Sequence, residues 1–425
     1  MNQFNFLIPE NLDLDEIIKN NPIVDFKSFN REKLLYVLHL LADIPSNNKD
    51  LANEEGYVPI NAEILKQWIN KGYSRYLKYL IDAGIIETDN QFVVGLKSRG
   101  YRFCPVYQQP LKSIPVTNSI LLKKMAKRNQ SISAELTIDE LPNGIDLPAI
   151  ARKYLPIERW YNTGGLKIND KAAHSYNAEQ FLLKKSDRSK WDKTVSARGF
   201  EWKNPFIQYL GGDSNIEKIK NGQFNAHFDK NVFRYHSALT SCKREIRNII
   251  TYDGERLVAI DLSNSQPTLL TLLLDHEFWL NESKGGKLNS SDIPYLFINP
   301  IFSTNNPFTN FITLVKKAQN NRITEGGELW NYYRMVGSGN FYYEFRQLLK
   351  EKMGSNYATN DKVKPMLFTD NRFIGQKGAK PKRIFRNLFP TIYEITSRIK
   401  KHGAKNLPIL LQRIESYIMY HKVVP

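Results

Sequence analysis

The sequence has few cysteines, no long apolar run and none of the signatures of several large enzyme classes. Its 425 residues contain two cysteines, Cys104 and Cys242, which excludes a disulfide framework and a four-cysteine zinc site. No apolar stretch approaches a membrane span, and the acidic N-terminus has no signal-peptide pattern. A Walker A sequence and H-E-x-x-H are both missing. We therefore expect a cytoplasmic protein with no membrane partner, and neither an NTPase motor nor a zinc metalloprotease.

The chain carries a large surplus of positive charge. It has 60 Lys and Arg against 43 Asp and Glu, a formal net charge of +17. Such a surplus favours a polyanionic partner, because each neutralised phosphate releases counterions. Nucleic acid fits better than an anionic membrane surface, since no lipid-anchor signal is present.

The length predicts two or three domains. Residues 1–29 are expected to form a mostly irregular arm, and residues 30–104 a compact unit. Prolines mark the start of the next segment, 105–225, which we expect to be a linker and a helical region. Residues 226–425 carry the candidate chemistry described below.

Residues 30–104 have the signals of three helices and a hairpin. Leu34, Val37, Leu38 and Leu41 give the first helix an apolar face. Asn61 is placed to cap a second helix. A third helix is predicted from Gly72–Tyr73 to Ala83, with Gly84 as its stop. Ile85 and Ile86, a turn at Asp89-Asn90, and residues 92–94 are then expected to pair as a hairpin.

This order of elements resembles a winged helix-turn-helix, with GLKSRGYRF as the wing. The resemblance implies that basic side chains of the third helix and the wing contact the DNA groove and its phosphates together. The predicted DNA-binding residues of this unit are Lys71, Arg75, Lys78, Lys97, Arg99 and Arg102. The alternative is a solvated helix face on a domain that packs against the rest of the chain.

A second basic stretch, KKSDRSKWDKTVSARGFEWK, has Trp191, Phe200 and Trp202 interleaved among its charges. Bases stack on aromatic rings while Lys and Arg follow the backbone of a single strand. The stretch is equally compatible with a surface loop that has aromatic anchors.

The chemistry is concentrated around Asp261. LVAI is predicted to be an apolar strand that ends at this aspartate, and Pro267 suits the first position of the helix that follows. A carboxylate at a strand end can hold Mg²⁺ or Mn²⁺ ions, which lower the pKa of a primer hydroxyl and neutralise a triphosphate. The simpler alternative is that Asp261 caps the helix.

The stretch DLSNSQP resembles the first palm motif of family A DNA polymerases, an apolar strand followed by D-Y-S-Q-I-E-L-R. Upstream, FRYHSALTSCKREIR resembles the family's G-R-x-S segment, with Phe233 in place of the glycine. The resemblance implies that Asp261 is the catalytic metal ligand, that Arg234 contacts the primer-template end, and that Arg247 supports the triphosphate. Gln266, five residues after Asp261, has the bulk to exclude a 2′-hydroxyl, which favours dNTPs.

A second block resembles the family's fingers helix. Lys364 and Phe368 match its K-x3-F spacing, whereas Asn360 stands where the family has an arginine, and Pro365 follows the lysine. The resemblance implies that Lys364 and Phe368 bind the incoming nucleotide and that Gln412 contacts the template.

The family's last palm motif, a strand with His-Asp, is missing before Pro425. Two metals need two carboxylates, so DNA polymerase activity requires a second one, which we expect a longer chain to supply. The predicted fold is α+β: a winged helix-turn-helix, a helical thumb-like region, and a polymerase-type palm with helical fingers, truncated at the C-terminus.

The predicted function is template-directed DNA synthesis by a phage or mobile-element replication protein. Its expected partners are a DNA primer-template, nucleoside triphosphates and other replication proteins. Two alternatives stay open: a non-catalytic DNA-binding replication initiator or regulator, and a non-templated nucleotidyltransferase on a polymerase-like palm.

Overall fold

Short antiparallel sheets and many helices make up the chain, which is an α+β protein. The computed structural model describes residues 4–23, 26, 29–47, 51–130, 160–161, 163–196, 199–224, 227–229, 232–279, 287–293, 311–316, 324–354, 363, 380–400, 403 and 406–423. None of the helices described within these ranges is both long and apolar enough to cross a membrane.

The strands and helices are numbered in chain order. The strands are β1 Asn5–Pro9, β2 Val58–Pro59, β3 Ile86–Thr88, β4 Gly100–Phe103, β5 Leu111–Pro115, β6 Leu166–Ile168, β7 Lys193–Ser196, β8 Gly199–Trp202, β9 His227–Phe228, β10 Tyr235–His236, β11 Ile250–Tyr252 and β12 Glu255–Arg256. The helices are α1 Leu14–Asn20, α2 Arg31–Asn47, α3 Ala62–Trp68, α4 Tyr73–Asp82, α5 Ser119–Gln130, α6 Asp170–Ser186, α7 Pro205–Lys220, α8 Ala238–Ser241, α9 Arg244–Arg247, α10 Ser265–Leu273, α11 Glu328–Gly337, α12 Phe341–Met353, α13 Lys380–Leu388, α14 Pro390–Ile399 and α15 Asn406–Ile418. Residues 311–316 are also helical, and Met419–Val423 continue α15 as a π-helical turn.

Residues 31–103 form three helices around a three-stranded antiparallel sheet. The chain order is α2, β2, α3, α4, β3 and β4, and the strand order in the sheet is β2-β4-β3. Two predicted boundary signals are confirmed. The Asn61 side chain accepts a hydrogen bond from the Glu63 amide at 2.7 Å, and Gly84, with φ of 65°, follows the end of α4.

Three apolar cores lie along the chain. The N-terminal core runs from Phe6 to Leu210 and joins residues 31–103 to α6 and α7. A middle core lies between Ala173 and Ile250, and a C-terminal core between Phe233 and Ile414. The predicted division at residues 104 and 105 therefore falls inside a shared core.

Helix α7 is buried along nearly its whole length, from Pro205 to Ile219. Two glycines let it approach its neighbours closely. A Cβ on Gly211 would lie 3.1 Å from the Pro45 backbone of α2, and one on Gly212 would lie 2.6 Å from the Asn177 side chain of α6. The polar side chains of α7 find partners on α2 and α6, for example an ion pair of 2.6 Å between Lys218 and Asp43. The helix is thus the packing centre of the N-terminal half.

Several local predictions for the N-terminal half are wrong. Strand β3 pairs with β4, in the register Ile86↔Phe103, and not with residues 92–94, because the intervening turn is longer than predicted. Lys71 precedes α4, which begins at Tyr73. The arm expected to be irregular contains α1 and β1, and β1 pairs with β5 through buried apolar residues.

The prediction of a strand before Asp261 is also wrong. Residues 257–262 are irregular, and Val258 and Ile260 are 87% and 73% exposed. A strand needs a hydrogen-bonding neighbour, and no described residue pairs with this segment. Pro267 is the third residue of α10 and not the first.

Candidate functional site

A groove separates α4 from the tip of the β3–β4 connection. Three of the six cations predicted to contact DNA line it, namely Lys78, Lys97 and Arg99, together with the carboxylates of Glu63 and Asp82. The antiparallel pairing of β3 and β4 brings the tip back alongside α4. The sequence prediction that helix and wing form one surface is consistent with this geometry.

Most of the six cations have a protein partner. Lys78 lies 2.8 Å from Asp82 with both side chains largely exposed, and Lys97 lies 2.8 Å from the Gln91 side-chain oxygen. The Arg75 guanidinium is 5.4 Å from the Phe26 ring centroid, and that of Arg99 is 5.1 Å from the Phe92 centroid. Exposed contacts of this kind are worth only about 0.2–1 kcal/mol.

Lys71 and Arg102 differ from these four. Lys71 is exposed in the turn before α4. Arg102 is held in the sheet, because it pairs with Glu87 at 2.7 Å and lies 4.3 Å from the Tyr57 ring. We therefore assign Arg102 a structural role within the sheet, and Lys71 remains available to a ligand.

The tip of the predicted wing is apolar and exposed. Phe92, Val93, Val94 and Leu96 are between 51% and 88% exposed, and a single bridge between Val93 and Lys97 closes the tip. Apolar side chains at such a position can wedge into a DNA minor groove. The predicted wing thus combines cations at its base with apolar residues at its tip.

Asp261 lies on the surface, before the N-terminus of α10. Two contacts hold this end of α10 against the turn between α11 and α12. The Ser263 hydroxyl donates to the Gly339 carbonyl at 3.4 Å, and the Tyr332 hydroxyl donates to the Pro267 carbonyl at 3.0 Å. The end of α10 is therefore fixed, although the predicted strand before it is not formed.

Two amide side chains that follow Asp261 within five residues each have one buried atom without a hydrogen bond. Asn264 Nδ2 and Gln266 Oε1 are inaccessible to solvent and have no partner among the described residues. Asn264 also has a left-handed backbone, with φ of 50°. An unsatisfied buried polar atom costs about 1–3 kcal/mol, and such atoms are candidates for contact with a ligand.

The structure brings Arg234 to the helix that carries Gln412. Arg234 forms an ion pair with Glu415, one turn after Gln412 on α15, and the Tyr235 amide donates to the Tyr420 hydroxyl at 2.6 Å. Burial, and then the charge of Glu415, raise the pKa of Tyr342. Sequence reasoning missed Glu415, although its spacing of three from Gln412 places both on one helix face.

The other predicted catalytic contacts are not formed in the described part. No hydrogen bond or ion pair there joins Asp261 to Arg234 or Arg247, and Arg247 is exposed at the end of α9. Lys364 and Phe368 lie outside the described residues. Only part of the expected cleft, with its three cations around Asp261, therefore lies among the described residues.

The predicted Mg²⁺ or Mn²⁺ site rests on Asp261. No group of three or more His, Cys, Asp and Glu residues that could hold a metal occurs in the described ranges. A two-metal mechanism needs a second carboxylate.

A charged network that the sequence did not predict lies between α6 and α7. His174 places Nδ1 3.0 Å from Asp213 and Nε2 3.1 Å from Glu217, and the Tyr209 hydroxyl donates to Asp213 at 3.1 Å. Burial opposes the charged ring, but the two carboxylates outweigh burial and raise the pKa of His174 to about 9. The ring is thus an imidazolium between two carboxylates at neutral pH.

Comparisons with protein-family models, curated proteins and solved structures give no match to this chain.

Proposed function

We propose that this chain binds duplex DNA through residues 31–103, which act as a winged helix-turn-helix. The observation that carries the proposal is the order of elements, α2-β2-α3-α4-β3-β4, with the sheet order β2-β4-β3. In this arrangement α4 takes the place of the recognition helix, and residues 89–99 that of the wing. The net charge of +17 supports a polyanionic partner.

The charges of the surface fit a phosphate backbone. Lys71 is exposed, and the partners of Lys78 and Lys97 include the exposed side chains of Asp82 and Gln91 on the same surface. Because these internal contacts are weak, phosphate oxygens can replace them at little cost. The apolar wing tip then lies where it can enter the adjacent minor groove.

The test is a titration of duplex DNA at several salt concentrations. Replacing Lys71, Arg75 and Lys78 by alanine should weaken binding and lower the log–log salt slope by up to about 3, close to one for each phosphate contact. The matched control removes three exposed lysines elsewhere, at Lys19, Lys171 and Lys422. An equal loss in the control, or an unchanged slope in the variant, would refute a DNA-binding role for this face.

We propose nucleotidyl transfer as a second function of the same chain, located at the end of α10. The specific observation in its favour is a pair of buried, unsatisfied amide atoms, Asn264 Nδ2 and Gln266 Oε1, which follow the exposed Asp261 within five residues. A nucleotide has both donors and acceptors for these amides. The pairing of Arg234 with α15 supports a role for that region in holding the primer-template end.

Equilibrium binding of dNTPs separates this function from a purely structural role of the amides. Replacing Gln266 by leucine removes an unsatisfied acceptor, so the free protein should become more stable by about 1 kcal/mol or more. The same variant should lose nucleotide affinity and template-directed incorporation. A variant that is stabilised and binds nucleotide as well as wild type would rule out Gln266 as a nucleotide contact.

A further inference from the structure

A second basic surface lies far along the chain from the proposed winged helix. It is a groove between α6, α7, the β7–β8 hairpin and the start of α9, with a volume of about 600 Å³. We define the lysine groove by its five cations. These are Lys184, Lys193, Lys203, Lys243 and Arg244, and they face two carboxylates, Asp192 and Glu245.

The cations converge from separate elements of the chain. Lys184 lies on α6 and contacts Asp192 at 2.6 Å, and the Lys203 amide donates to the Asp192 carbonyl at 2.8 Å. Burial raises the pKa of Asp192, but Lys184, Gln208 and the charge of Lys243 outweigh it and lower the pKa. Residues up to 59 positions apart thus share one electrostatic environment.

Backbone atoms of α7 and one hydrogen-bond acceptor without a described donor lie at the floor of the groove. Gly211 and Gly212 of α7 line the groove. Asn215, next along the helix, is 4% exposed and lines the groove. Its Nδ2 donates to the Ser46 carbonyl at 3.3 Å, whereas its Oδ1 has no donor among the described residues. A ligand with a hydrogen-bond donor would satisfy this oxygen.

Two tryptophans neighbour cations of the groove, one across the β7–β8 hairpin and one through a hydrogen bond. Trp202 is directly opposite Lys193 in the β7–β8 register, and the Trp191 indole donates to the Lys184 carbonyl at 2.8 Å. Both rings are half-buried. Aromatic rings beside a row of cations are the arrangement that binds single-stranded nucleic acid, since bases stack on the rings while phosphates meet the cations.

We infer that the lysine groove is a binding site for single-stranded nucleic acid. Phosphates pair with the exposed cations Lys193 and Arg244 and with Lys243, and a base stacks at the hairpin. A base amine or sugar hydroxyl donates to Asn215 Oδ1. A groove of this size, with aromatic residues and cations on one hairpin, suits a flexible strand whose bases are free to stack. None of the five cations belongs to residues 31–103 or to the segment around Asp261, so the test is a binding measurement that needs no nucleotide incorporation.

The experiment measures the anisotropy of a labelled single-stranded DNA of about a dozen nucleotides at several salt concentrations. Replacing Lys193, Lys243 and Arg244 by alanine should weaken binding roughly tenfold and lower the log–log salt slope by about 2, or about 0.7 for each lost phosphate contact. Unchanged thermal melting establishes that the variant is folded. If the triple variant does not fold, the single variant Lys193→Ala, at an exposed hairpin position, replaces it. It should lower the log–log salt slope by about 0.7.

Two matched variants complete the design. The triple alanine variant at Lys19, Lys171 and Lys422 removes the same charge from other surfaces and should bind the single strand nearly as well as wild type. The variant at Lys71, Arg75 and Lys78 should also retain single-strand affinity. The inference is overturned if wild type does not bind the single strand, if the groove variant binds it unchanged, or if the charge-matched control loses as much.

Discussion

Replacing His174 by glutamine tests the charged network between α6 and α7. The ring bridges Asp213 and Glu217 at 3.0 and 3.1 Å, and its side chain is 32% exposed. Glutamine can hydrogen-bond with one carboxylate at a time and carries no charge. The variant therefore leaves two carboxylates of α7 one turn apart without the cation between them, which should destabilise the fold.

The size of the effect follows from the pKa of His174. Its value of about 9 in the folded chain, against 6.5 for an ordinary histidine, corresponds to at most about 3 kcal/mol of folding free energy. Because the pKa is raised on folding, this contribution is complete below pH 6.5 and is lost as the pH rises to 9. Hydrogen bonding to His174 and the charge of Lys220 lower the pKa of Glu217 in spite of its burial, so stability is also lost in acid, below about 4.5.

Urea unfolding at pH 6, 7, 8 and 9 measures this dependence. The variant should be less stable than wild type by about 2–3 kcal/mol at pH 6, and the difference should shrink steadily towards pH 9. The control is His236→Gln, which removes a half-exposed histidine with one carboxylate at 3.5 Å and shows what the loss of a surface histidine does in the same assay. A difference between wild type and His174→Gln that is equal at pH 6 and pH 9 would refute an imidazolium at this position.

Three further predictions concern packing, the sugar and the wing. Gly212→Ala places a methyl group 2.6 Å from Asn177 and should lower the free energy of unfolding by about 1–3 kcal/mol. Gly337→Ala, with open space at the end of α11, should leave that free energy unchanged or raise it by up to about 1 kcal/mol. Thermal melting compares the two variants. Gln266→Gly should raise ribonucleotide use relative to deoxyribonucleotide use in a primer-extension assay, and an unchanged ratio removes the argument for a DNA product. Leu96→Asp, at a side chain 88% exposed, should leave the melting temperature unchanged and weaken duplex binding, and equal affinity would mean that the wing tip does not touch DNA.

Local signals in the sequence predicted those elements that local interactions determine. Asn61 caps α3 and Gly84 ends α4, since each acts within a few residues of its own position. The prediction of a strand before Asp261 was wrong because strand pairing depends on distant residues. The segment is a continuous apolar run, but a strand forms only beside a partner, and the sequence does not say whether one exists.

The burial of α7 was equally inaccessible to sequence reasoning. Its sequence, PFIQYLGGDSNIEKIK, contains charged and polar residues that are typical of a solvated face. They are buried because partners from distant segments meet them, such as Asp43 for Lys218 and His174 for Glu217. The candidate site shows the same limit, since Arg234 and Glu415 lie 181 positions apart.

Helix α7 also sets the order in which a nascent chain can fold. The core that encloses α2 and the strands of residues 31–103 includes Phe206, Tyr209 and Leu210, so that core is complete only after α7 has been synthesised. At about 5–20 residues per second, translation from β5 to the end of α7 takes roughly 5–20 s. During that interval the part of α2 that packs against α7 in the finished fold lacks its partner. Synonymous codons that slow translation between residues 116 and 220 would prolong that interval and lower the soluble yield, although the mature protein is identical.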